Sequence, residues 1–195
     1  MIFLTFAAVL IFAYLLGSVP NGLIFGKLIW KKDLRKFGSG NIGATNAWRS
    51  LGKPAGILIF AADFLKGAIA VLIAGHFVGS PISMVFAGLF AIIGHTFTIF
   101  LKFRGGKGVA TGLGVIAMLM PKVTVIVFAI WLIIVLLTRY VSLGSIVSAA
   151  LVPIFAYLFD CPAEFIFLGL IAAAFIIFRH KSNIIRLKDG TENKI

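Results

Sequence analysis

The sequence predicts an all-α polytopic membrane protein of about seven transmembrane helices, and three observations predict it. Hydrophobic residues make up 61% of the chain and charged residues only 12%, whereas a soluble domain carries about 25% charge because its surface faces water. Mean hydropathy is +1.13. The apolar residues fall in long runs, and nearly all the basic residues fall in the short stretches between them. A transmembrane helix takes about 20 residues, so 195 residues leave no room for an appended soluble domain. The chain is expected to form one integral membrane domain over 1–195.

Seven apolar segments are expected near 2–28, 54–75, 82–101, 108–120, 122–138, 142–159 and 162–178. The first is too long for a signal-peptide core and has no cleavage signature, so it reads as a retained helix. The fourth is short for a span, and Pro121 divides it from the fifth. These two read as separate spans joined by a tight turn at Pro121 and Lys122, or as one kinked or re-entrant unit. The second reading gives six spans and puts basic loops on both membrane faces, so seven is preferred.

Orientation follows from the lysine and arginine bias. The stretch 27–53 holds Lys27, Lys31, Lys32, Arg35, Lys36, Arg49 and Lys53. Lys102, Arg104 and Lys107 follow the third span, Arg139 the fifth, and Arg179, Lys181, Arg186, Lys188 and Lys194 the last. With seven spans all of these share one face, which predicts an outer N-terminus and a cytoplasmic C-terminus. Topology control also explains the net charge of +12, so no nucleic-acid partner is expected. The single cysteine, Cys161, excludes an intramolecular disulfide and a cysteine-built metal site. No internal repeat of the kind that builds inverted-repeat transporters is present.

Polar residues that persist in so apolar a chain concentrate in three clusters. SGNIGATNAWR, Ser39 to Arg49, with Gly38 just before it, places Gly40, Gly43 and Ala44 among the donors Ser39, Asn41, Thr45 and Asn46, with Arg49 supplying a guanidinium fork. Small residues let backbone amides approach an anion, and the fork suits phosphate or carboxylate. A surface turn needs one or two such residues, not seven or eight in eleven. In the second cluster, Arg104-Gly105-Gly106-Lys107-Gly108 opens a helix, where amides carry partial positive charge and a lysine completes a phosphate cradle. The spacing is not that of a Walker loop, and a glycine-eased interfacial turn with snorkelling lysines is the alternative.

The third cluster, RHKSNIIRLKDGTE, Arg179 to Glu192, puts His180 and Asn183 three apart, on one face of a continuing helix. His180 is the best-placed base for activating a hydroxyl. Lipid headgroups explain the tail's lysines but not this pair. His95, two turns inside the third span, reads as a packing or helix-bridging residue. Asp63 and Lys66 sit three apart within the second span, where a lone charge costs roughly 2.5–3.5 kcal/mol on insertion scales. A mutual pair or a contact with a site loop is expected, as structural support. Ser142 and Ser145 begin the sixth span, and Ser145 serves a bound anion or caps the helix. The clusters offer many donors and few carboxylates, which argues against a metal site.

At these three clusters, and in Asp63-x-x-Lys66-Gly67, the sequence resembles the bacterial acyl-phosphate-dependent glycerol-3-phosphate acyltransferases. These are small seven-span inner-membrane enzymes, and the likeness runs the whole chain in order and spacing. The resemblance implies transfer of a fatty acyl group from acyl phosphate to the 1-hydroxyl of sn-glycerol 3-phosphate, giving lysophosphatidic acid and phosphate. It implies no cofactor, no obligate protein partner, a bacterial inner-membrane location and a cytoplasmic active face. Acyl phosphate is expected on the Gly105-Gly106 turn and Ser39. Arg49, Lys107, Ser145 and Asn183 are expected on glycerol 3-phosphate, with Asn41 and Asn46 among the phosphate-binding residues. His180, with Ser39 nearby, orients or deprotonates the attacking hydroxyl, or the donor's own phosphate takes the proton. Residues five beyond His76, His95 and His180 are Pro81, Phe100 and Ile185, so the H-x-x-x-x-D dyad of other glycerolipid acyltransferases is absent.

The chemistry has a simple physical frame. Each buried methylene is worth about 0.8 kcal/mol, so the acyl chain stays in lipid while glycerol 3-phosphate arrives from water. Three loops at the inner leaflet are expected to grip two neighbouring phosphates beside that chain.

Overall fold

The computed structural model describes residues 2–195, and among these all regular secondary structure is helical. The chain forms two compact units, Met1–Val115 and Ile116–Ile195.

In the first unit, α1 (Ile2–Ser18) packs against α4 (Lys53–Phe77) and α5 (Pro81–Thr96). Small residues bring these helices close: a methyl added at Gly17 would fall on the Ala91 main chain, and one at Gly94 on that of Tyr14. Close backbone approach of this kind drives helix association where lipid offers no hydrophobic gain. The start of α5 combines a Ser80 cap, accepting from the Ser83 amide at 3.1 Å, with Pro81 in the first turn. The segment expected as one helix over 2–28 is broken: α1 ends at Ser18 and α2 runs Asn21–Leu28, bent by 42°. Pro20 causes this, because it lacks an amide and disfavours helical backbone at Val19. The carbonyls released at the break are not left dry. Lys66 Nζ donates to Val19 O at 3.1 Å, and the Thr98 hydroxyl donates to Ser18 O, which is how irregular backbone is tolerated at membrane depth. A short helix, α3 (Ala44–Leu51), ends at Gly52 and packs on α4.

In the second unit, α8 (Val141–Leu158) packs between α7 (Pro121–Thr138) and α9 (Ala163–Arg179). The last helix, α10 (Lys181–Lys188), contacts both α8 and α9. It leaves α9 at a 58° bend. Leu136 and Leu137 at the end of α7 are 70% and 80% exposed, a surface suited to lipid and not to water.

Among the described residues, four helical stretches are individually long and apolar enough to cross a membrane: Lys53–Phe77, Pro81–Leu101, Pro121–Thr138 and Val141–Leu158. Counting each bent pair as one span raises this to six. The fourth expected segment is α6 (Val109–Leu119), whose 11 residues extend about 16 Å against a hydrocarbon core of about 30 Å. Seven crossings are reached only by counting this short helix.

Candidate active site

Upstream of α3 the chain is folded around one buried amide. Asn46, 2% exposed, donates Nδ2 to the carbonyls of Leu34, Phe37 and Asn41, and its Oδ1 accepts from the Ser39 amide at 3.0 Å. Gly38, at φ +55°, passes so close to Asn46 Oδ1 that a side chain there would collide with it. Asn41 makes an Asx turn, accepting from the Gly43 amide at 2.8 Å at the entry to α3. Ahead of the loop, Asp33 caps a 3-10 turn over Leu34–Lys36 and receives Arg35 through two side-chain bonds of 2.9 and 2.6 Å. The Arg35 hydrogen bond, with Lys27 nearby, holds the Asp33 carboxyl well below the usual range. The result is a rigid loop in which Ser39 is exposed and Asn41 and Arg49 are half-buried. Asn46, expected among the anion donors, has its amide turned inward to build the loop.

The glycine turn before α6 departs from expectation in a similar way. Gly105 donates its amide to Thr96 O at 2.9 Å, and Gly106 donates to His95 O at 3.0 Å. The two amides expected on a phosphate are therefore engaged by the end of α5. Both positions require glycine for packing. A Cβ at Gly105 would strike the His95 carbonyl, and one at Gly106 would strike the His95 ring. Gly108, at φ +84°, adopts backbone that favours glycine and leads into α6. A phosphate at this turn would meet Lys107 and the amides that open α6. Close packing of Gly67 on Thr111 and of Gly114 on Phe64 seats the start of α6 against α4.

In the second unit, His180 is the joint between α9 and α10 and not a residue of one continuous helix. Its ring is 3% exposed, and Nδ1 lies 2.8 Å from Ile176 O. A carbonyl only accepts, so Nδ1 carries the proton and the basic lone pair is on Nε2. Asn183, 5% exposed, donates Nδ2 to Glu192 Oε1 at 2.7 Å, and Ser142 donates to the same oxygen at 2.8 Å. Arg186 Nε donates to Oε2 at 2.7 Å. Burial pushes the Glu192 carboxyl up, but bonds from Asn183, Ser142 and Arg186 outweigh it, and the net shift is downward. Ser145 does not cap α8. It donates to Val141 O at 2.9 Å and accepts from Trp131 Nε1 at 3.3 Å.

Glu192 is the residue that the sequence reading passed over. Its one signal was a carboxylate, with Asp189 three residues before it, in a basic tail. The tail continues to Ile195, whose main chain pairs with Arg139 across the α7–α8 turn. Among the described residues no group of three His, Cys, Asp or Glu side chains is placed to hold a metal ion.

Long apolar helices joined by donor- and cation-rich loops define an all-helical integral membrane protein. The family model described as glycerol-3-phosphate acyltransferase matches residues 7–190. The glycerol-3-phosphate acyltransferase of Carboxydothermus hydrogenoformans is 50% identical over 94% of this chain and 93% of its own length. That of Syntrophomonas wolfei is 45% identical over 97% and 96%. Among solved structures, PlsY, an integral membrane glycerol 3-phosphate acyltransferase, matches in its glycerol 3-phosphate form with a TM-score of 0.93 at 44% identity, over 97% of this chain and 95% of that one. Its lysophosphatidic acid form matches with a TM-score of 0.91 at 43% identity. The chain belongs to the glycerol-3-phosphate acyltransferase family of integral membrane enzymes.

Proposed function

We propose that the enzyme uses acyl phosphate as donor and releases lysophosphatidic acid and inorganic phosphate. The 1-hydroxyl oxygen of glycerol 3-phosphate attacks the acyl carbonyl carbon, the bond from that carbon to the phosphate oxygen breaks, and phosphate leaves. The hydroxyl proton passes to His180 Nε2 or directly to a phosphate oxygen, and ends on the released phosphate.

The observation that carries this reading is the partner of His180. A main-chain carbonyl receives Nδ1, which leaves the Nε2 lone pair to take the hydroxyl proton. Acyl phosphate is already activated, so no covalent acyl-enzyme is required. Ser39, Asn41 and Arg49 in the first loop, Lys107 after the glycine turn, and Ser145 and Asn183 in the second unit serve the phosphates. Gly105 and Gly106 serve by placing Lys107. The basic stretches face the cytoplasm, with the N-terminus outside and the chain in the inner membrane of a bacterium.

Purified enzyme in lipid, supplied with palmitoyl phosphate and labelled glycerol 3-phosphate, is expected to form labelled lysophosphatidic acid without coenzyme A or carrier protein. Product formation only from acyl-coenzyme A would overturn the donor assignment. Labelling of residues 102–107 from the periplasmic side would overturn the orientation.

A further inference from the structure

Four polar side chains meet inside the first unit, far from water. Asp63 is 3% exposed, Lys66 4% and His95 5%. Asp63 Oδ1 accepts from Lys66 Nζ at 2.9 Å and from Asn21 Nδ2 at 3.0 Å, and His95 Nδ1 lies 3.7 Å from the same oxygen. Burying this many polar groups in an apolar bundle is costly, and a helix contact alone needs none of them. The group leads somewhere. The far edge of the His95 ring seats on Gly106, while the carbonyls of His95 and Thr96 hold the Gly106 and Gly105 amides. A continuous line of contacts thus runs from Asp63 through the imidazole to the turn that ends in Lys107.

We infer that Asp63 and His95 are positioning residues for the Gly105–Lys107 turn. Asp63, held by Lys66 and Asn21, sets the ring of His95, and the ring sets the path of the backbone that presents Lys107. Neither touches substrate. The inference rests on the proposed role of Lys107 toward a phosphate, and it assigns the two glycines a packing partner in the protein in place of a close approach by ligand.

The decisive experiment is a double-mutant cycle on the full-length enzyme in lipid. His95→Ala and Gly106→Ala are each expected to raise KM for glycerol 3-phosphate roughly ten- to a hundredfold with kcat nearly unchanged. Because both disturb one contact, the double variant is expected to match the worse single variant and not the product of the two. Multiplying effects, or an unchanged KM in His95→Ala, would overturn the inference. Should His95→Ala fold poorly, His95→Gln with hydrogen exchange over residues 103–109 replaces it, and unaltered exchange there overturns the inference equally. Lys107→Ala separates the two readings. If it leaves KM unchanged while the His95 variants still loosen the turn, the phosphate role of Lys107 fails and the positioning relationship stands.

Discussion

Asn183 donates to Glu192 over 2.7 Å, and that bond ties the α9–α10 joint to the tail that follows it. The same carboxylate oxygen receives Ser142 from the first turn of α8, so one buried acid links α8, α10 and the tail. A carboxylate accepts two bonds on one oxygen and a third on the other without strain. The cluster works as a clamp, because removing the acid takes away the acceptor that Asn183 and Ser142 share.

Glu192→Gln is expected to lower stability by about 1.5–3 kcal/mol, the range for hydrogen bonds to a charged group, and to reduce activity through Asn183. Because the folded enzyme holds this carboxyl below its ordinary value, the stabilisation is complete above the usual glutamate range near pH 4.3 and fades as pH falls through the lowered folded value. Thermal unfolding of both proteins across pH 3–8 checks this. The gap between them should be full at neutral pH and close only in acid.

Much of the fold was legible, and the reasons differ by element. Long apolar runs announced the helices Lys53–Phe77, Pro81–Leu101, Pro121–Thr138 and Val141–Leu158, and of the two contacts that the spacing of Asp63 and Lys66 allowed, the mutual pair forms at 2.9 Å. Pro20 gave a local warning of the α1–α2 break that the hydropathy of the run concealed. The loops were legible only in part. Their composition marked Ser39–Arg49 and Gly105–Lys107, but not which groups turn inward. Asn46 finds its acceptors at Leu34, Phe37 and Asn41, and Gly106 finds its acceptor at His95. A carbonyl has no side-chain identity, so nothing in the letters distinguishes one that waits for Asn46 from any other.

Asn46 therefore offers a sharp test of loop construction. Asn46→Asp replaces a donor facing three carbonyls with an acceptor, whereas Asn46→Ala only leaves them unsatisfied, at about 1–3 kcal/mol for each buried group. The aspartate variant is expected to be the worse of the two, both in thermal unfolding and in protease resistance of residues 33–43. Equal loss in both would mean that the amide is not the hub.

His180 can be divided by its two nitrogens. Asparagine places a donor near the Nδ1 position and glutamine places a polar group near Nε2, so His180→Asn keeps the bond to Ile176 without a base. If Nε2 takes the proton, both variants lose roughly 10²–10⁴ in kcat. If the donor's phosphate takes it, His180→Asn retains most of kcat, and the ring serves only to hold its neighbours. Single-turnover rates with palmitoyl phosphate distinguish the outcomes.

The buried pair of Asp63 and Lys66 makes a prediction in which stability and function part company. Removing one partner leaves an uncompensated charge, so Asp63→Leu alone is expected to cost about 3–5 kcal/mol. Replacing both, as Asp63→Leu with Lys66→Met, removes the stranded charge, and stability should recover most of that loss even though Val19 O gives up its ammonium donor. The imidazole of His95 would still have lost the carboxylate beside it. Thermal unfolding near the native value together with a raised KM for glycerol 3-phosphate is the expected combination, since the bundle can tolerate an apolar replacement and the glycine turn cannot.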